Sequence, residues 1–327
     1  METALGAAVE DFIVEEQDGY PCAGEGEHLF VRVKKSGLST MQVVKRLAEV
    51  CAIPEREVGF AGRKDARGLT TQRLSVPRRC EPAVAGIQDA NLQVLELAVH
   101  VNKLRLGHLS GNRFIIRLQP VSEQEETLVR DRLETVLARG FPDYYGPQRF
   151  GPELSSAQRG LHALRQGRIR GRGRSADFLI SAAQSLLFND FLGQRLKRGL
   201  LFEALPGDLL KTQRGGLFTC EDAAADTPRV AAGEVVVTGP MFGRKMMPAR
   251  DAALTLESEI LTSRGLSHDH FSAMRPAIPG TRRALLARIQ GPSCHGDPSG
   301  LRLDFVLPAG SFASELCREL LRIPLNW

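Results

Sequence analysis

The sequence predicts a mixed α/β (α+β) protein, with sheet-forming segments toward both ends of the chain and a more helical stretch between them. Three observations carry this. Strand-like alternation of apolar and polar residues recurs before residue 120, helical periodicity dominates beyond Gly140, and alternation returns over Leu301 to Leu307.

Taken in order, His28 to Lys35 alternates Leu29, Val31 and Val33 against Phe30 and Arg32, the period of a half-buried strand. A helix follows, with Thr40 as the expected N-cap, Met41, Val44, Leu47 and Ala48 inward and Lys45 and Arg46 outward. Gln72 to Val76, Leu92 to Val101 and Arg113 to Gln119 read as further strands. The last two bracket Lys103-Leu104-Arg105-Leu106-Gly107 and a loop from His108 to Asn112. Ser122 to Ala138 predicts an amphipathic helix burying Leu128, Leu133, Val136 and Leu137. Ser175 to Lys197 predicts another, lined by Leu179, Ala183, Leu186, Leu187 and Phe191. After the strand Leu301 to Leu307, Ser311 opens a last amphipathic helix to Arg322.

Composition narrows the function classes. The 327 residues, 43% hydrophobic and 25% charged, suffice for one large or two ordinary cores rather than a disordered chain. No apolar run approaches the roughly 18 residues of a membrane span. Met1 to Glu10 lacks the basic start and apolar core of a secretion signal, so a cytoplasmic protein is expected. The six cysteines are scattered, without a Cys-x-x-Cys pair, and read as reduced thiols. His268 and His270 have no evident third ligand, so no metal is expected. The net charge of +5 leans toward polyanions, and Arg165, Arg168, Arg170, Arg172 and Arg174, interleaved with glycines, form either a solvated linker or a phosphate-contacting loop. Gly24-Glu25-Gly26 is a poor phosphate loop, being acidic and leading into a strand.

The densest chemical signal is Gly59-Phe60-Ala61-Gly62-Arg63-Lys64-Asp65-Ala66-Arg67-Gly68-Leu69-Thr70-Thr71-Gln72. Here Asp65 sits between Lys64 and Arg67, cations that favour the ionised carboxylate needed for nucleophilic or general-base work. A turn aspartate in a surface ion pair accounts for the same residue types.

This segment resembles the catalytic motif of the TruD family of tRNA pseudouridine synthases, an Ala-Gly-x-Lys-Asp run holding the essential aspartate. Other matches follow in family order. Asp11-Phe12-Ile13-Val14-Glu15-Glu16 is similar to the opening motif, and Gly24-Glu25-Gly26-Glu27-His28, with Lys35 and Thr40, to the second. Gly111-Asn112-Arg113-Phe114 and Tyr144-Tyr145-Gly146-Pro147-Gln148-Arg149-Phe150-Gly151 resemble two more, and Leu307-Pro308-Ala309-Gly310-Ser311-Phe312-Ala313 with Arg318-Glu319-Leu320 resembles the last.

The resemblance implies the pseudouridine synthase fold, a mixed, largely antiparallel sheet with flanking helices and an inserted family-specific α/β domain. The expected division is a catalytic domain over 1–139 and 284–327, with the insertion over 140–283. It implies that Asp65 acts as the catalyst, by attack on the ribose or by proton abstraction from it. By the same similarity, Phe114 stacks on an extruded uracil, Asn112 bonds nearby, and Phe12 and Phe312 wall the pocket, although each phenylalanine also fits plain core packing. Lys64 and Arg67 contact phosphates or tune Asp65, and Gln148 and Arg149 bind phosphate, orient the loop or tie the structure together. No cofactor is implied, and the expected partner is the D arm of tRNA, at position 13, bound by a monomer. A non-catalytic tRNA-folding protein on the same scaffold is the rival reading.

There are two departures. Family members usually carry a basic residue a few positions before the Asp-Phe motif, whereas Met1 to Glu10 has none and Gly6 occupies roughly that place. The residue has been lost, is supplied from elsewhere in the pocket, or precedes the numbered start. Asp143 stands where asparagine is more usual.

Overall fold

The structure is a computed structural model that describes residues 8–118, 122–169, 174–275 and 277–322. The expectations for Gly6, Gln119, Arg170 and Arg172 lie outside these, as does the side chain of Arg174. The chain divides into two compact units, 1–137 with 289–310, and 138–288 with 311–327. The closing segment 311–327, expected with the catalytic domain, groups with the second unit.

The first unit opens with β1 (Phe12–Asp18), β2 (His28–Ser36), α1 (Thr40–Val50), β3 (Gly59–Phe60), β4 (Leu69–Pro77), α2 (Glu81–Ala85), β5 (Leu92–His100), β6 (Leu109–Leu118) and α3 (Glu123–Arg139), whose C-terminal end reaches the second unit. The second unit contains β7 (Phe141–Pro142), α4 (Ser155–Arg165), α5 (Arg174–Lys197), β8 (Leu209–Thr212), β9 (Leu217–Thr219), α6 (Ala223–Ala232), β10 (Val235–Met241), α7 (Asp251–Ser263), α8 (His268–Ala273), β11 (Thr281–Ala284) and β12 (Leu286–Ala287). The chain then returns to the first unit for β13 (Gln290–Asp297) and β14 (Gly300–Pro308), and α9 (Ala313–Leu321) closes the described part in the second.

The first unit is built on an eight-stranded sheet in the order β13-β14-β6-β1-β4-β2-β5, with β3 pairing to β4. Among its described strand pairs only β1–β4 is parallel, so the sheet is mixed and largely antiparallel, as expected. In β2 Leu29, Val31 and Val33 are buried against Val43, Val44 and Leu47 of α1 as predicted. The strand is not half-buried throughout, because Phe30 on the opposite face is also buried, in a second cluster with Ala61 and Leu104. The N-cap of α1 is Ser39 rather than Thr40. Gln42 lies three residues after Ser39 and completes a reciprocal capping box, its Oε1 accepting from Ser39 N at 2.8 Å. That leaves the Thr40 hydroxyl for a tertiary contact.

In α3 the buried stripe is Val129, Leu133 and Val136, while Leu128 and Leu137 are each 48% exposed. The helical period groups positions three and four apart, so Val129, Leu133 and Val136 share a face from which Leu128 is rotated away. Leu128 and Val129 are adjacent and both apolar, so an apolar count alone does not say which of them faces inward.

The second unit packs α4, α5 and α7 around a four-stranded sheet of order β11-β10-β8-β9. Ala183, Leu186, Leu187 and Phe191 of α5 are buried as expected, but so are Ile180, Ala182, Phe188 and Leu192. The helix is apolar around much of its circumference because helices and sheet both cover it. Gly160 carries the α4–α5 approach, since a Cβ there would overlap the Leu179 carbonyl. Two ion pairs inside this core, Arg195–Asp208 at 2.8 Å and Arg282–Glu257 at 2.5 Å, are almost fully buried.

Candidate active site

Strand register assembles the first unit's site. Phe12, Val14 and Glu16 fall on one face of β1, opposite Ile116, Phe114 and Asn112 of β6, which in turn face Leu303, Phe305 and Leu307 of β14. On the other side of β1, Val14 pairs with Thr70 of β4, and Thr70 pairs with Lys35 of β2. Continuing the register by one same-face step sets Glu16 beside Gln72. One row is therefore Lys35, Thr70, Val14, Phe114 and Phe305; the next is polar through Gln72, Glu16 and Asn112.

Phe114 stacks on Phe305 with ring centroids 5.7 Å apart and meets Phe12 edge to face at 6.3 Å. Phe114 is 7% exposed, whereas Phe12 is only partly buried. In the polar row, Asn112 Oδ1 and Gln72 Nε2 are buried without a hydrogen-bond partner among the described residues. Such groups are rare and costly, typically about 1–3 kcal/mol each, so they mark where a missing partner belongs.

The Asp65 loop joins β3 to β4 beside these rows. Its backbone is clamped on both sides of the aspartate. The Lys35 ammonium donates to the Asp65 carbonyl at 2.9 Å and to the Leu38 carbonyl at 2.5 Å. The Thr40 hydroxyl accepts from Lys64 N–H at 2.7 Å and donates to Gln72 Oε1 at 2.9 Å, and Thr40 N–H donates to the Lys64 carbonyl at 3.1 Å. The Lys64 ammonium turns inward to Glu16 at 2.7 Å, and both side chains are buried. Glu16 Oε1 also accepts from Arg73 N–H at 3.1 Å. Gly68 ends the loop in a left-handed conformation, φ +79°, pressed against Phe12, where a Cβ would overlap the Phe12 carbonyl oxygen.

The Asp65 residue itself is exposed. The site thus holds an accessible carboxylate on a fixed backbone, which suits attack or proton abstraction better than a mobile turn does. Burial pushes the Lys35 ammonium down to about 8, opposed by attraction to Asp65 and reinforced by repulsion from Lys64.

The remaining predicted residues divide between the units. Arg67 is exposed in the loop. Gln148, Arg149 and Phe312 belong to the second unit. Arg149 Nε donates to Ser185 at 3.2 Å, its Nη2 bonds Ser181, and the guanidinium lies 5.8 Å from the Tyr145 ring centroid, a tie between this loop and α5. Phe312 packs near Tyr145 at 5.9 Å, and the Arg283 guanidinium covers Tyr145 at 4.3 Å. Asp143 is buried and pairs with Arg283 at 2.5 Å; burial nevertheless pushes its carboxyl up to about 6, with Arg283 lowering it. Arg318 pairs with Glu315 at 2.8 Å.

Glu16, Gln72 and the inward role of Lys35 are additions from the structure. Lys35 had a sequence signal: it continues the alternation Leu29, Val31, Val33 and so belongs to the buried face. Among the described residues no cluster of three or more potential metal ligands occurs, and no helix is long and apolar enough to cross a membrane. His268 packs edge-on against Phe242 at 5.7 Å, and His270 Nδ1 accepts from Ser267 N–H at 3.1 Å.

Known proteins match this arrangement along nearly its whole length. The family profile for tRNA pseudouridine synthase D (TruD) matches residues 1–166 and 174–320. A tRNA pseudouridine synthase D of Thermus thermophilus is 39% identical over 320 residues, covering 96% of this chain and 87% of the relative. One from Anaeromyxobacter dehalogenans is 40% identical over 324 residues, covering 97% and 92%. A crystal structure of a Methanosarcina mazei protein assigned to TruD superposes with a TM-score of 0.73 at 22% identity, covering 98% of this chain and 94% of the other, which establishes the shared fold.

The protein is an isomerase of the pseudouridine synthase class. Within that class, the chain belongs to the TruD family.

Proposed function

We propose that this protein isomerises a uridine of tRNA, at position 13 in the D arm, to pseudouridine, with Asp65 as the catalytic carboxylate. The observation that carries the reading is the Asp65 loop: an accessible carboxylate whose backbone is held by Lys35 and Thr40, beside the aromatic and polar rows of one sheet face. The substrate follows from the relatives, which are named as tRNA pseudouridine synthases D.

The reaction breaks the bond between ribose C1′ and uracil N1, turns the base and joins C1′ to C5. The C5 hydrogen leaves to solvent and N1 gains a proton, so there is no net oxidation and no external reductant. Asp65 attacks the ribose or removes a proton from it during cleavage. The uridine leaves its stack to reach the carboxylate, at a cost of about a few kcal/mol. Phe12, the more open ring of the Phe12–Phe114 pair, receives the base. Asn112 Oδ1 accepts from the uracil imide or a ribose hydroxyl, which gives the orphaned oxygen its partner.

Lys64 acts through its bond to Glu16, setting the loop, while Arg67, Gln148 and Arg149 serve the phosphate backbone or its positioning. The protein works as a cytoplasmic monomer, and the 1–139 and 284–327 segments with the 140–283 insertion form its functional domains.

Pseudouridine mapping of total RNA from cells with and without the protein tests this. The expected result is loss of pseudouridine at tRNA position 13 on deletion. Unchanged modification there would refute the site assignment, and an unchanged map throughout would favour a tRNA-folding protein.

A further inference from the structure

One cavity of the first unit takes no part in the chemistry above. It has a volume of about 430 Å³ and is lined by Tyr20, His100, Asn102, Lys103, Arg105 and His108. Among these lining residues there is no carboxylate, and two carry positive charge.

Its donors are set by internal bonds. Ala23 N–H donates to His100 Nδ1 at 3.1 Å, which leaves the neutral imidazole proton on Nε2. Tyr20 Oη lies 2.8 Å from His108 Nδ1; with the phenol donating, His108 likewise carries its proton on Nε2. The aromatic wall is rigid: Tyr20 stacks on His100 at 5.2 Å, and His100 packs on Phe30 at 4.6 Å. Lys103 is anchored through Nζ to the Arg56 carbonyl, and its charge contributes to lowering the His28 imidazole, for which burial is the first cause. The exposed Arg105 side chain has no hydrogen bond or ion pair within the described residues.

The cavity is also tied to the Asp65 loop. Leu104 N–H donates to Ser75 Oγ of β4 at 3.0 Å, Gly59 of β3 lies against the Leu104 carbonyl, and Gly107 N–H donates to the Ala61 carbonyl at 2.9 Å. The segment 101–108 is therefore strapped across the strand that leads into the catalytic loop.

We propose that Tyr20, His100, Lys103, Arg105 and His108 form a phosphate-binding pocket, which takes a backbone phosphodiester of the bound RNA and holds that RNA to the unit carrying Asp65. A rigid recess offering two cations and imidazole N–H donors, and no acceptor carboxylate, matches a phosphate group. The choice of RNA over free phosphate rests on the proposed function.

The test uses the full chain and unmodified tRNA. Affinity is measured across a salt series for wild type, Arg105→Ala, the Lys103→Ala/Arg105→Ala double variant and Arg214→Ala, an exposed control in the second unit. Single-turnover pseudouridine formation is measured at saturating tRNA. Each neutralised phosphate adds about 0.9 to the salt slope, so losing one contact weakens binding about eightfold at 0.1 M salt. The expected result is a slope lower by about one for the double variant, which leaves the single phosphodiester without a cation, and by less than one for Arg105→Ala, with the saturated rate unchanged. Arg105→Ala alone guards against loosening of the loop by loss of the Lys103 anchor.

Wild-type affinity and slope in both variants would overturn the proposal. So would an equal loss in Arg214→Ala, which would mean that the variants report only general charge. If wild type forms no pseudouridine while the variants still lose salt slope, the proposed function fails and the pocket stands. Competition by inorganic phosphate at constant ionic strength separates the sources. Displacement of tRNA from wild type but not from the double variant identifies a pocket that accepts free phosphate; no displacement identifies one that needs the polymer.

Discussion

Replacing Thr40 by valine removes one oxygen and leaves the shape of the side chain nearly intact. That oxygen accepts from Lys64 N–H at 2.7 Å and donates to Gln72 Oε1 at 2.9 Å, at a residue 1% exposed. Gln72 Nε2 already has no partner among the described residues, so the substitution strands the rest of the amide as well. Two buried groups left unsatisfied, at about 1–3 kcal/mol each, predict a loss of roughly 2–6 kcal/mol in urea unfolding. The larger consequence is positional. Lys64 precedes Asp65 directly, and a catalytic group displaced by about 1 Å can lose about a hundredfold in rate. Tritium release from tRNA labelled at uracil C5, followed well below the unfolding midpoint and at saturating tRNA, should show kcat down about a hundredfold with KM little changed. Thr40→Ser, which keeps the oxygen, should restore most of it. A Thr40→Val protein that loses stability but keeps kcat within twofold of wild type would refute the idea that this clamp positions Asp65.

Gly68→Ala should cost about 1–3 kcal/mol for its left-handed backbone alone, and more for the overlap with the Phe12 carbonyl; Gly37→Ala, at φ +67° with open space around it, should show only the first component by the same urea titration. Asp143 gives a pH signature. Its folded value is raised to about 6 from 3.8, so its stabilising contribution is complete below 3.8 and is lost as pH rises through 6, a change of roughly 3 kcal/mol. The Asp143→Asn protein should therefore gain that amount relative to wild type between pH 4 and pH 7 in paired denaturant titrations, and a pH-independent difference would contradict the assignment.

Much of the first unit is legible in the sequence because its strands show a regular period. Leu29, Val31 and Val33, and Leu301, Leu303, Phe305 and Leu307, fall on buried faces, as two-residue alternation requires. The α3 stripe departs from expectation because adjacent Leu128 and Val129 are both apolar, and only tertiary packing chooses between helix phases. The N-cap of α1 depends on a side-chain reciprocity between Ser39 and Gln42 that competes with a good cap at Thr40. Grouping of 311–327 with the second unit depends on contacts that local pattern does not encode.

At the site, Asp65, Asn112 and Phe114 are readable from motif resemblance, but their support is not. Glu16 and Lys64 meet across 48 positions of sequence, and Thr40 and Gln72 across 32. Such pairs are set by strand register, and a charged or amide residue in a strand gives no sign of its partner. Lys64 illustrates the limit: its sequence neighbours mark a cation near the carboxylate, while only the fold turns the ammonium to Glu16.

The central claim rests on the carboxylate of residue 65. Wild type and Asp65→Asn, nearly equal in size, should be compared at saturating tRNA for tritium release from uracil-C5-labelled tRNA. Release at the no-enzyme background from the variant is the predicted result; release at the wild-type rate would contradict the account.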